Sequence, residues 1–353
     1  MKKILSIVGA RPQFIKLAPL SRRIREHVTE IIVHTGQHFD KQMSDAFFTD
    51  LNIPAPDYNL NIGSGSHGQQ TGNMLMAIEE VLQKENPALV VVFGDTNSTL
   101  AGALAAAKLH IPVVHIEAGL RSFNRTMPEE INRIATDHIS DYLFAPTAAA
   151  MVNIETEGLT ARSFLTGDIM VDALLDNIGR ARESSTILQS LKLEPESYTL
   201  LTLHRPYNVD DPANLRAILA LLSRTEERVV FPVHPRTRNI IRDNDIPIPE
   251  NIRTTEPVGY LDFLYLQSLS RRVITDSGGI QKEAYILQKP CLTLRPETEW
   301  VETVEAGWNR LVDYQGEGAA DQISSFMPPV GHPDLFGSDV AARMTGHIRN
   351  WLG

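Results

Sequence analysis

Three carboxylates, Asp95, Glu117 and Glu129, are the residues of this sequence best suited to acid–base chemistry. Asp95 comes just after the apolar run 89–93, and Glu117 follows the apolar run 112–116. Carboxylates gathered in one place repel each other, and burial adds to this effect, so that some of their pKa values rise toward the range that proton transfer needs. The same residue types also bind divalent metals, but neither a DxD pair nor HExxH spacing accompanies these three. We therefore expect proton transfer and no bound metal.

Glu129 has an acidic neighbour, Glu130, in the segment MPEEINRIATDH (127–138), which has the pattern of a helix start. Acidic side chains stabilise the first turn of a helix through its dipole. One of the two glutamates is therefore expected to serve the helix rather than the chemistry, and the sequence leaves open which one.

Two cations, Arg11 and Lys16, follow the first apolar run, 3–8. Pro12 is favoured at the first position of a helix, which places Arg11 at the tip of a strand and Lys16 one turn into the helix. Both are expected to reach a bound ligand. The alternative is a surface arginine and a lysine whose stem lies along the protein surface.

The second half of the chain supplies basic residues at corresponding positions. His204 and Arg205 follow the apolar run 198–203, and His234 follows the run 228–233. Because carboxylates repel phosphate, a phosphorylated ligand is expected to turn its phosphates toward this half and its uncharged part toward the acids.

The segment Ser277-Gly278-Gly279 follows the apolar run 272–275 and opens a predicted helix. The free backbone N–H groups and the dipole of a helix start favour phosphate binding, and glycine allows close approach to the backbone. The alternative is that Ser277 only caps the helix. Glu283, further along this helix, is either an acceptor for ribose hydroxyls or a solvated charge.

Short apolar runs alternate with helical patterns almost from end to end. The predicted strands are 3–8, 30–34, 89–93, 112–116, 142–145, 198–203, 228–233, 272–275 and 290–294. Near-continuous apolar strands separated by helices are typical of parallel sheets that are covered on both faces. The sequence therefore predicts a doubly wound α/β fold, in which ligands bind at the carboxyl ends of the strands. The polar residues described above lie at those ends and are expected to face a cleft.

Length and composition bound the organisation of the chain. Its 353 residues suffice for about two domains, which we place at 1–168 and 169–337, followed by a helical tail at 338–353. The net charge of −10 argues against a nucleic-acid partner, and the single cysteine, Cys291, excludes a disulfide framework. The apolar run near the start of the sequence is shorter than that of a signal peptide. No apolar run in the sequence is long enough to span a membrane. We expect a soluble cytoplasmic enzyme.

The segment GSGSHG (63–68) matches the dinucleotide-binding pattern G-x-G-x-x-G and precedes a predicted helix at 69–84. That pattern needs a preceding strand and an acid at the tip of the next strand. DYNLNI (57–62) is a poor strand, and the first predicted strand-to-helix turn is Gly-Ala-Arg instead. We therefore expect a glycine-serine loop near the ligand and no nicotinamide cofactor.

Taken together, these segments closely resemble the non-hydrolysing UDP-N-acetylglucosamine 2-epimerase family along nearly the whole chain. The matching motifs stand in the family's order: GARPQFIK (9–16), HTGQH (34–38), GDTNSTLAGALAA (94–106), HIEAGLRS (115–122), MPEEINR (127–133), TGD (166–168), LHRPYNVDDP (203–212), HPRT (234–237), DSGGIQKEA (276–284) and TEWVE (298–302).

The resemblance implies two Rossmann-like domains of the GT-B type with the active site between them, and a C-terminal helix that returns to the first domain. It implies reversible inversion at C2 of a UDP-N-acetylhexosamine, from UDP-GlcNAc to UDP-ManNAc, by elimination of UDP to a 2-acetamidoglucal and re-addition. It also implies a UDP-sugar as partner, a homodimer, a role in making cell-surface polysaccharide, and no metal or cofactor.

The motifs carry the family's residue roles onto this sequence. The implied catalytic residues are Asp95, Glu117, Glu129, His204 and Lys16. The implied UDP-binding residues are Arg11, His234, Ser277, Gly278, Gly279, Glu283 and, beside the uracil, Phe263. Arg205, next to His204 at a strand end, is added to the binding set.

Departures from the family's pattern bear on the substrate. Many members read TERPE where this chain has Trp300 in TEWVE, so a cation is missing there, and Gln13 stands where the common opening has glutamate. Two segments, HTGQHFDKQMSDAFF (34–48) and SFNRTMPEEINR (122–133), are more similar to the subgroup that acts on UDP-2,3-diacetamido-2,3-dideoxyglucuronate. A uronate needs a cation near C6, and Arg121 or Arg125 could supply it.

Three alternatives to the epimerase remain on the sequence alone. A hydrolysing relative would release free N-acetylmannosamine, and a GT-B glycosyltransferase would need an acceptor. A non-catalytic UDP-sugar sensor would not need three gathered carboxylates.

Overall fold

The computed structural model describes residues 1–37 and 54–353, apart from the side chain of Arg11. The last residue of the HTGQH motif, and with it the rest of the segment 34–48, therefore lies outside the described residues. The described chain divides into two compact units. The first unit comprises Met1–Ala173 and Leu335–Gly353, and the second comprises Leu174–Asp334.

The first unit contains a parallel sheet of seven strands in the order β3-β2-β1-β4-β5-β6-β7. Its strands are β1 (Lys3–Val8), β2 (Thr29–His34), β3 (Tyr58–Asn59), β4 (Leu89–Phe93), β5 (Val113–Ile116), β6 (Tyr142–Ala145) and β7 (Ser163–Leu165). All five residues of β4 are buried, as expected for a central strand covered on both faces. The strand order reverses between β1 and β4, and in doubly wound sheets this is where ligands bind.

Helices cover this sheet on both sides. They are α1 (Arg11–Ile24), α2 (His67–Glu85), α3 (Asn97–Lys108), α4 (Pro128–Ile139), α5 (Ala148–Thr156), the start of α6 (Met170–Ser184), and the final helix α15 (Val340–Leu352). A short 3-10 helix occupies Thr160–Arg162. The buried face of α15 includes Met344 and Ile348, and this helix contacts α1.

The second unit contains a parallel sheet of six strands in the order β10-β9-β8-β11-β12-β13. Its strands are β8 (Thr199–Thr202), β9 (Val229–Pro232), β10 (Ile252–Thr255), β11 (Arg272–Thr275), β12 (Cys291–Thr293) and β13 (Asn309–Leu311). Its further helices are α7 (Ile187–Ser190), α8 (Pro206–Val209), α9 (Pro212–Ser223), α10 (Pro235–Asp243), α11 (Tyr260–Ser268), α12 (Gly278–Ile286), α13 (Val301–Glu305) and α14 (Ala319–Ser325).

The predicted α/β class with doubly wound parallel sheets is confirmed, and each predicted strand is present within one residue of its predicted ends. Four strands were missed: β3, β7, β10 and β13. All four are the edges of their sheets. Across the part of the chain that the structure describes, no helix is both long and apolar enough to cross a membrane.

Candidate active site

The carboxyl ends of β4 and β5, which are paired neighbours, bring two predicted catalytic carboxylates to one edge of the first sheet. Glu117 directly follows β5, and its Oε2 forms an ion pair with Nζ of Lys16 from α1. The two side chains are only 12% and 10% exposed. The structure therefore places a buried cation against a buried carboxylate beside the turn that carries Asp95.

The backbone of Glu117 has a φ of 73°, in the left-handed region that residues other than glycine and asparagine rarely adopt. Such a conformation persists only where the surrounding structure holds it, and it is common at functional sites. The backbone at Glu117 is thus held in a strained conformation at the end of a buried strand.

Asp95 forms an ion pair with Arg133 of α4, although its side chain is still 27% exposed. Burial and the nearby carboxylates of Glu117 and Glu129 raise the pKa of Asp95. Arg133 and Lys16 act in the opposite direction without cancelling the increase. A carboxyl with a raised pKa is suited to take up and release protons near neutral pH. Arg133 was not singled out from the sequence, because nothing in its motif reveals its partner.

The neighbouring glutamates of α4 have different surroundings. Glu130 is buried and accepts hydrogen bonds from the backbone N–H groups of Ser122 and Phe123, both at 2.9 Å, and from the Ser122 hydroxyl at 3.0 Å. Glu129 is exposed on the first turn of the helix. Glu130 therefore holds the preceding loop in place, and Glu129 is the glutamate left to act on a ligand.

Gln13 joins the turn after β1 to the turn after β4. Its Oε1 accepts from the N–H groups of Gly9 at 2.7 Å and Ala10 at 3.0 Å. Its Nε2 donates to the carbonyl oxygen of Phe93 at 2.8 Å, and to the hydroxyl of Thr96 at 3.0 Å. The sequence marked Gln13 only as a departure from the family pattern. The structure makes it the buried side chain that aligns two loops of the candidate site.

A chain of amide side chains connects the glycine-rich segment to Asp95. Gln70 donates to the carbonyl oxygen of Gly63 at 3.0 Å and accepts from Asn97 at 2.8 Å. Asn132 in turn donates to Asn97 at 3.2 Å and to the carbonyl oxygen of Asp95 at 2.9 Å. The segment thus supports the carboxylate site, and the nearest strand before it among the described residues is β3, which has two residues.

Arg121 was proposed from the sequence as a cation for a uronate substrate, and the structure contradicts this. Its side chain is 2% exposed and binds Asp137 and Glu157, each at 2.7 Å. Two carboxylates already neutralise the guanidinium and take up its donors. Of the two arginines suggested, only Arg125, which is exposed, remains available to a ligand.

In the second unit, the buried carboxylate of Asp276 organises the turn after β8. It accepts from the backbone N–H groups of His204 and Arg205, and from the amide of Asn208, each at 3.0 Å. Burial alone would raise the pKa of Asp276, but these hydrogen bonds and His204 lower it. Nδ1 of His204 lies 3.0 Å from the same carboxylate, and the ring is 54% exposed. Asp276 therefore orients the ring, as carboxylates commonly do for functional histidines.

Arg205 and His234 offer donors that a bound anion could use. The Nε atom of Arg205 is buried, and within the described ranges it has no hydrogen-bond partner. Buried donors are almost always paired, so an unpaired one calls for an explanation such as a ligand. Nδ1 of His234 accepts from the backbone N–H of Arg236 at 3.3 Å and caps α10. In the neutral ring the proton therefore lies on Nε2, where it can be donated.

Ser277 caps α12, since its hydroxyl accepts from the backbone N–H of Ile280 at 3.4 Å. The capping alternative therefore occurs, and it leaves the remaining N–H groups of the first turn for a ligand. A carboxylate already lies at this helix start. A Cβ on Gly278 would clash with Oε1 of Glu299, and Glu299 also pairs with Arg295 at 2.9 Å. A carboxylate oxygen of Glu299 therefore lies in the space next to the Gly278 backbone, at the start of α12.

Replacing Gly278 with alanine is expected to weaken UDP binding about 10-fold, equivalent to ~1.4 kcal/mol, because the new methyl group occupies the space next to the helix start. Isothermal titration calorimetry with UDP measures the effect. Gly259→Ala, at the start of α11 in the same unit, is the matched control because no atom lies within 4 Å of its Cβ position. Equal UDP affinities in the two variants would contradict the placement of phosphate at this helix.

Glu283 is 8% exposed on α12, and burial raises its pKa to about 7, although Lys282 acts to lower it. The Nζ atom of Lys282 lies 4.4 Å from the centre of the Trp300 ring, a distance typical of cation–π contacts. Trp300 stands where many family members have a cation, and its ring packs against the ammonium group of Lys282 from the adjacent helix. Phe263 lies partly buried on α11 and packs against the hydrophobic cluster that contains Leu200, Val230 and Leu266.

Removing the Arg133 charge is expected to raise the pKa of Asp95 further, because Arg133 acts to lower it. The limb of the pH profile of kcat/KM that Asp95 governs should therefore move to higher pH in Arg133→Met. Arg133→Lys keeps the charge and should restore the limb toward its original position. A profile that is the same in both variants would show that another group titrates.

Among residues 1–37 and 54–353, no three His, Cys, Asp or Glu side chains are grouped so that they could hold a metal ion. Each unit instead carries its own set of charges. The first has Asp95 and Glu117 at adjacent strand ends with Lys16 on α1, and the second has basic side chains and a helix start. Two Rossmann-like units that carry these charges are compatible with a nucleotide-sugar enzyme of the GT-B type.

Comparison with known proteins narrows this class to a family. The sequence model of the UDP-N-acetylglucosamine 2-epimerase family matches residues 22–343. A UDP-N-acetylglucosamine 2-epimerase homolog of Methanococcus maripaludis is 53% identical over 331 residues, which cover 92% of this chain and 93% of that protein. The UDP-2,3-diacetamido-2,3-dideoxy-D-glucuronate 2-epimerase of Pseudomonas aeruginosa is 52% identical over 318 residues, 88% of either chain.

Solved structures agree. The UDP-GlcNAc 2-epimerase of Methanocaldococcus jannaschii, in complex with UDP-GlcNAc and UDP, superposes with a TM-score of 0.84 at 43% identity and covers 99% of both chains. This chain therefore belongs to the UDP-N-acetylglucosamine 2-epimerase family and is an isomerase. The resemblance seen in the sequence motifs is confirmed.

Proposed function

We propose that this enzyme interconverts the C2 epimers of a UDP-N-acetylhexosamine by elimination and re-addition of UDP. A base removes the C2 proton while the C1–O bond to the diphosphate breaks, which leaves a C1=C2 double bond in a 2-acetamidoglucal. The UDP oxygen then returns to C1 as a proton is delivered to the opposite face of C2. The proton and the UDP that leave in the first step are both replaced in the second, so the reaction needs no oxidant or reductant.

The observation that carries this proposal is the group of carboxylates at the ends of β4 and β5. Asp95, with its raised pKa, and exposed Glu129 are the candidates for moving the C2 proton. Glu117, paired with Lys16, would stabilise positive character at C1. Proton transfer on the two faces of C2 needs more than one group. Asp95 and Glu129 would be these two groups.

In the same proposal the second unit binds UDP. Arg205, His234 and the first turn of α12 would stabilise the negative charge that develops on the departing diphosphate. Oriented by Asp276, His204 would assist at the diphosphate, and Glu283 would accept hydrogen bonds from the ribose. Phe263 would lie beside the uracil, and Arg11 would bind a phosphate of UDP. Residues 1–168 then carry the proton transfer and 169–337 the nucleotide.

Two substrates fit this chemistry. The relatives at 53% and 52% identity are named for UDP-N-acetylglucosamine and for a diacetamido-glucuronate, respectively, so identity does not separate them. Since Arg121 is already bound to two carboxylates, only Arg125 of the two suggested cations could meet a C6 carboxylate. We propose UDP-GlcNAc as the substrate and keep the uronate as the alternative.

Proton NMR in D₂O tests the proposal with both nucleotide sugars in separate incubations. Formation of a manno-configured UDP-sugar that carries deuterium at C2 is the expected result, and the faster of the two reactions identifies the preferred substrate. The rate should not change with EDTA. Free N-acetylmannosamine and UDP would identify a hydrolysing enzyme instead. Two unchanged, undeuterated substrates would overturn the proposal and favour a transferase. Light scattering on the same sample tests the proposed homodimer.

A further inference from the structure

His115 is a fully buried histidine in β5, two residues before Glu117 of the candidate site. Its Nδ1 lies 2.6 Å from Oδ1 of Asp137, and its Nε2 lies 2.7 Å from the carbonyl oxygen of Gly94. Nothing in the proposed chemistry uses this ring, yet it is in contact with the residue that precedes Asp95.

Both ring nitrogens of His115 face oxygen atoms that accept hydrogen bonds. A carbonyl oxygen can only accept, so Nε2 carries a hydrogen. Oδ2 of Asp137 already accepts from the backbone N–H of Gly119 at 3.0 Å and lies 2.7 Å from Nη2 of Arg121. Burial raises the pKa of Asp137, but His115 and Arg121 lower it more. An ionised Asp137 can only accept as well, so Nδ1 also carries a hydrogen, and the ring is an imidazolium.

We propose that His115 is a positioning residue, held as an imidazolium by Asp137, that fixes the turn carrying Asp95 for proton transfer at C2. This inference rests on the proposed function. The N–H of Gly94 donates to the carbonyl oxygen of Ile116 at 2.9 Å, and its own carbonyl oxygen receives the Nε2 hydrogen. Both peptide groups of Gly94 are therefore fixed, and the second of them leads directly into Asp95.

Asp137 reaches the turn after β5 as well. Its hydrogen bond to Gly119 fixes the chain two residues beyond Glu117, where the backbone is in the left-handed region. One buried carboxylate, together with its histidine, thus holds the turns after both β4 and β5. Because a displacement of about 1 Å can cost about 100-fold in rate, such support can determine turnover without touching the substrate.

The charged groups around the ring come from each element packed against it. Asp137 lies on α4, and Arg121 lies in the loop after β5, with Glu157 bound on its other side. Beyond Gly94, Oε2 of Glu117 and Nζ of Lys16 would stand 3.2 and 3.5 Å from a Cβ at that position. The ring is shielded from water, and each of its nitrogens has an acceptor.

Nitrogen-15 NMR of the whole, ligand-free enzyme at pH 7, labelled in its histidine rings, tests whether both ring nitrogens carry a hydrogen. His115→Gln assigns the signal. Two protonated ring nitrogens are expected, and the loss of one hydrogen in Asp137→Asn would confirm that Asp137 holds the imidazolium. A ring with one bare nitrogen at pH 7 in the natural enzyme would overturn the proposal. Because no substrate is present, the outcome of this measurement does not depend on the proposed function.

Kinetics test the positioning role. His115→Gln and Asp137→Asn are each expected to lower kcat about 100-fold, while KM and the affinity for UDP change by about threefold or less. His138→Gln is the matched control, since His138 is next to Asp137 on α4 but is 47% exposed, and its kcat should not change. An unchanged kcat in folded His115→Gln would overturn the positioning role. A natural enzyme without C2 deuterium exchange would instead refute the proposed function.

Discussion

Asp95→Asn is expected to lower the rate of C2 epimerisation on the order of 10³-fold, the contribution typical of a general acid or base. UDP should still bind with its normal affinity, because Asp95 is not among the residues assigned to the nucleotide. The pKa of Asp95 is raised in the folded protein, so the ionised carboxylate opposes folding at neutral pH. A neutral asparagine should therefore not lower the melting temperature. Deuterium exchange at C2, calorimetry with UDP and thermal unfolding measure the three effects.

The control for Asp95→Asn is Asp243→Asn. Asp243 also pairs with an arginine, but its side chain is 60% exposed on the surface of the second unit. Its replacement should change none of the three quantities. A rate of exchange in Asp95→Asn within about tenfold of the natural rate would remove Asp95 from the proton transfer. A parallel loss of UDP affinity would mean that it acts in binding.

The neighbouring glutamates of α4 are expected to give opposite results. Glu129→Gln should lower turnover on the order of 100-fold or more without changing stability, since its side chain is exposed. Glu130→Gln should lower the free energy of unfolding of the first unit by about 2 kcal/mol, because four donors, including the Arg133 guanidinium, lose a charged acceptor. Thermal unfolding and C2 exchange on both variants separate the two roles, and each variant controls for the other.

The stability lost in Glu130→Gln depends on pH. Burial alone would raise the pKa of Glu130, but the hydrogen bonds from Ser122 and Phe123 lower it below its ordinary value. A carboxylate with a lowered folded-state pKa stabilises the protein above its unfolded-state pKa, and this stabilisation disappears as pH falls through the folded-state value. The difference from the natural protein should therefore be largest at neutral pH and shrink in acid. A difference that grew in acid would contradict the assignment.

The central strands could be predicted because a parallel strand buried on both faces needs a continuous apolar run. The edge strands β3, β7, β10 and β13 lack that requirement. In β10, for example, the sequence IRTT has only one buried position, and no run of apolar residues marks it. What orders an edge strand is hydrogen bonding to its one neighbour, which a local pattern does not reveal.

The candidate site shows the same division. Strand ends located Asp95, Glu117, His204 and Ser277, because residues that follow parallel strands share one edge of the sheet. The partners of these residues came from elsewhere in the chain. Arg133, Asp276 and Gln13 were not recognised, since each acts through a contact with a residue tens of positions away in sequence.

The fold class, the family and the strand ends where chemistry can occur could all be inferred from the amino-acid sequence, since they follow from apolar runs and from ordered motifs along the chain. Which charges are already engaged became clear only from the folded molecule. Folding assigns Glu130 to a loop and Arg121 to two carboxylates, and it leaves Glu129 and Arg125 exposed. The reason is that a charged side chain takes its role from the partners and burial that folding gives it, and these depend on distant segments meeting in space.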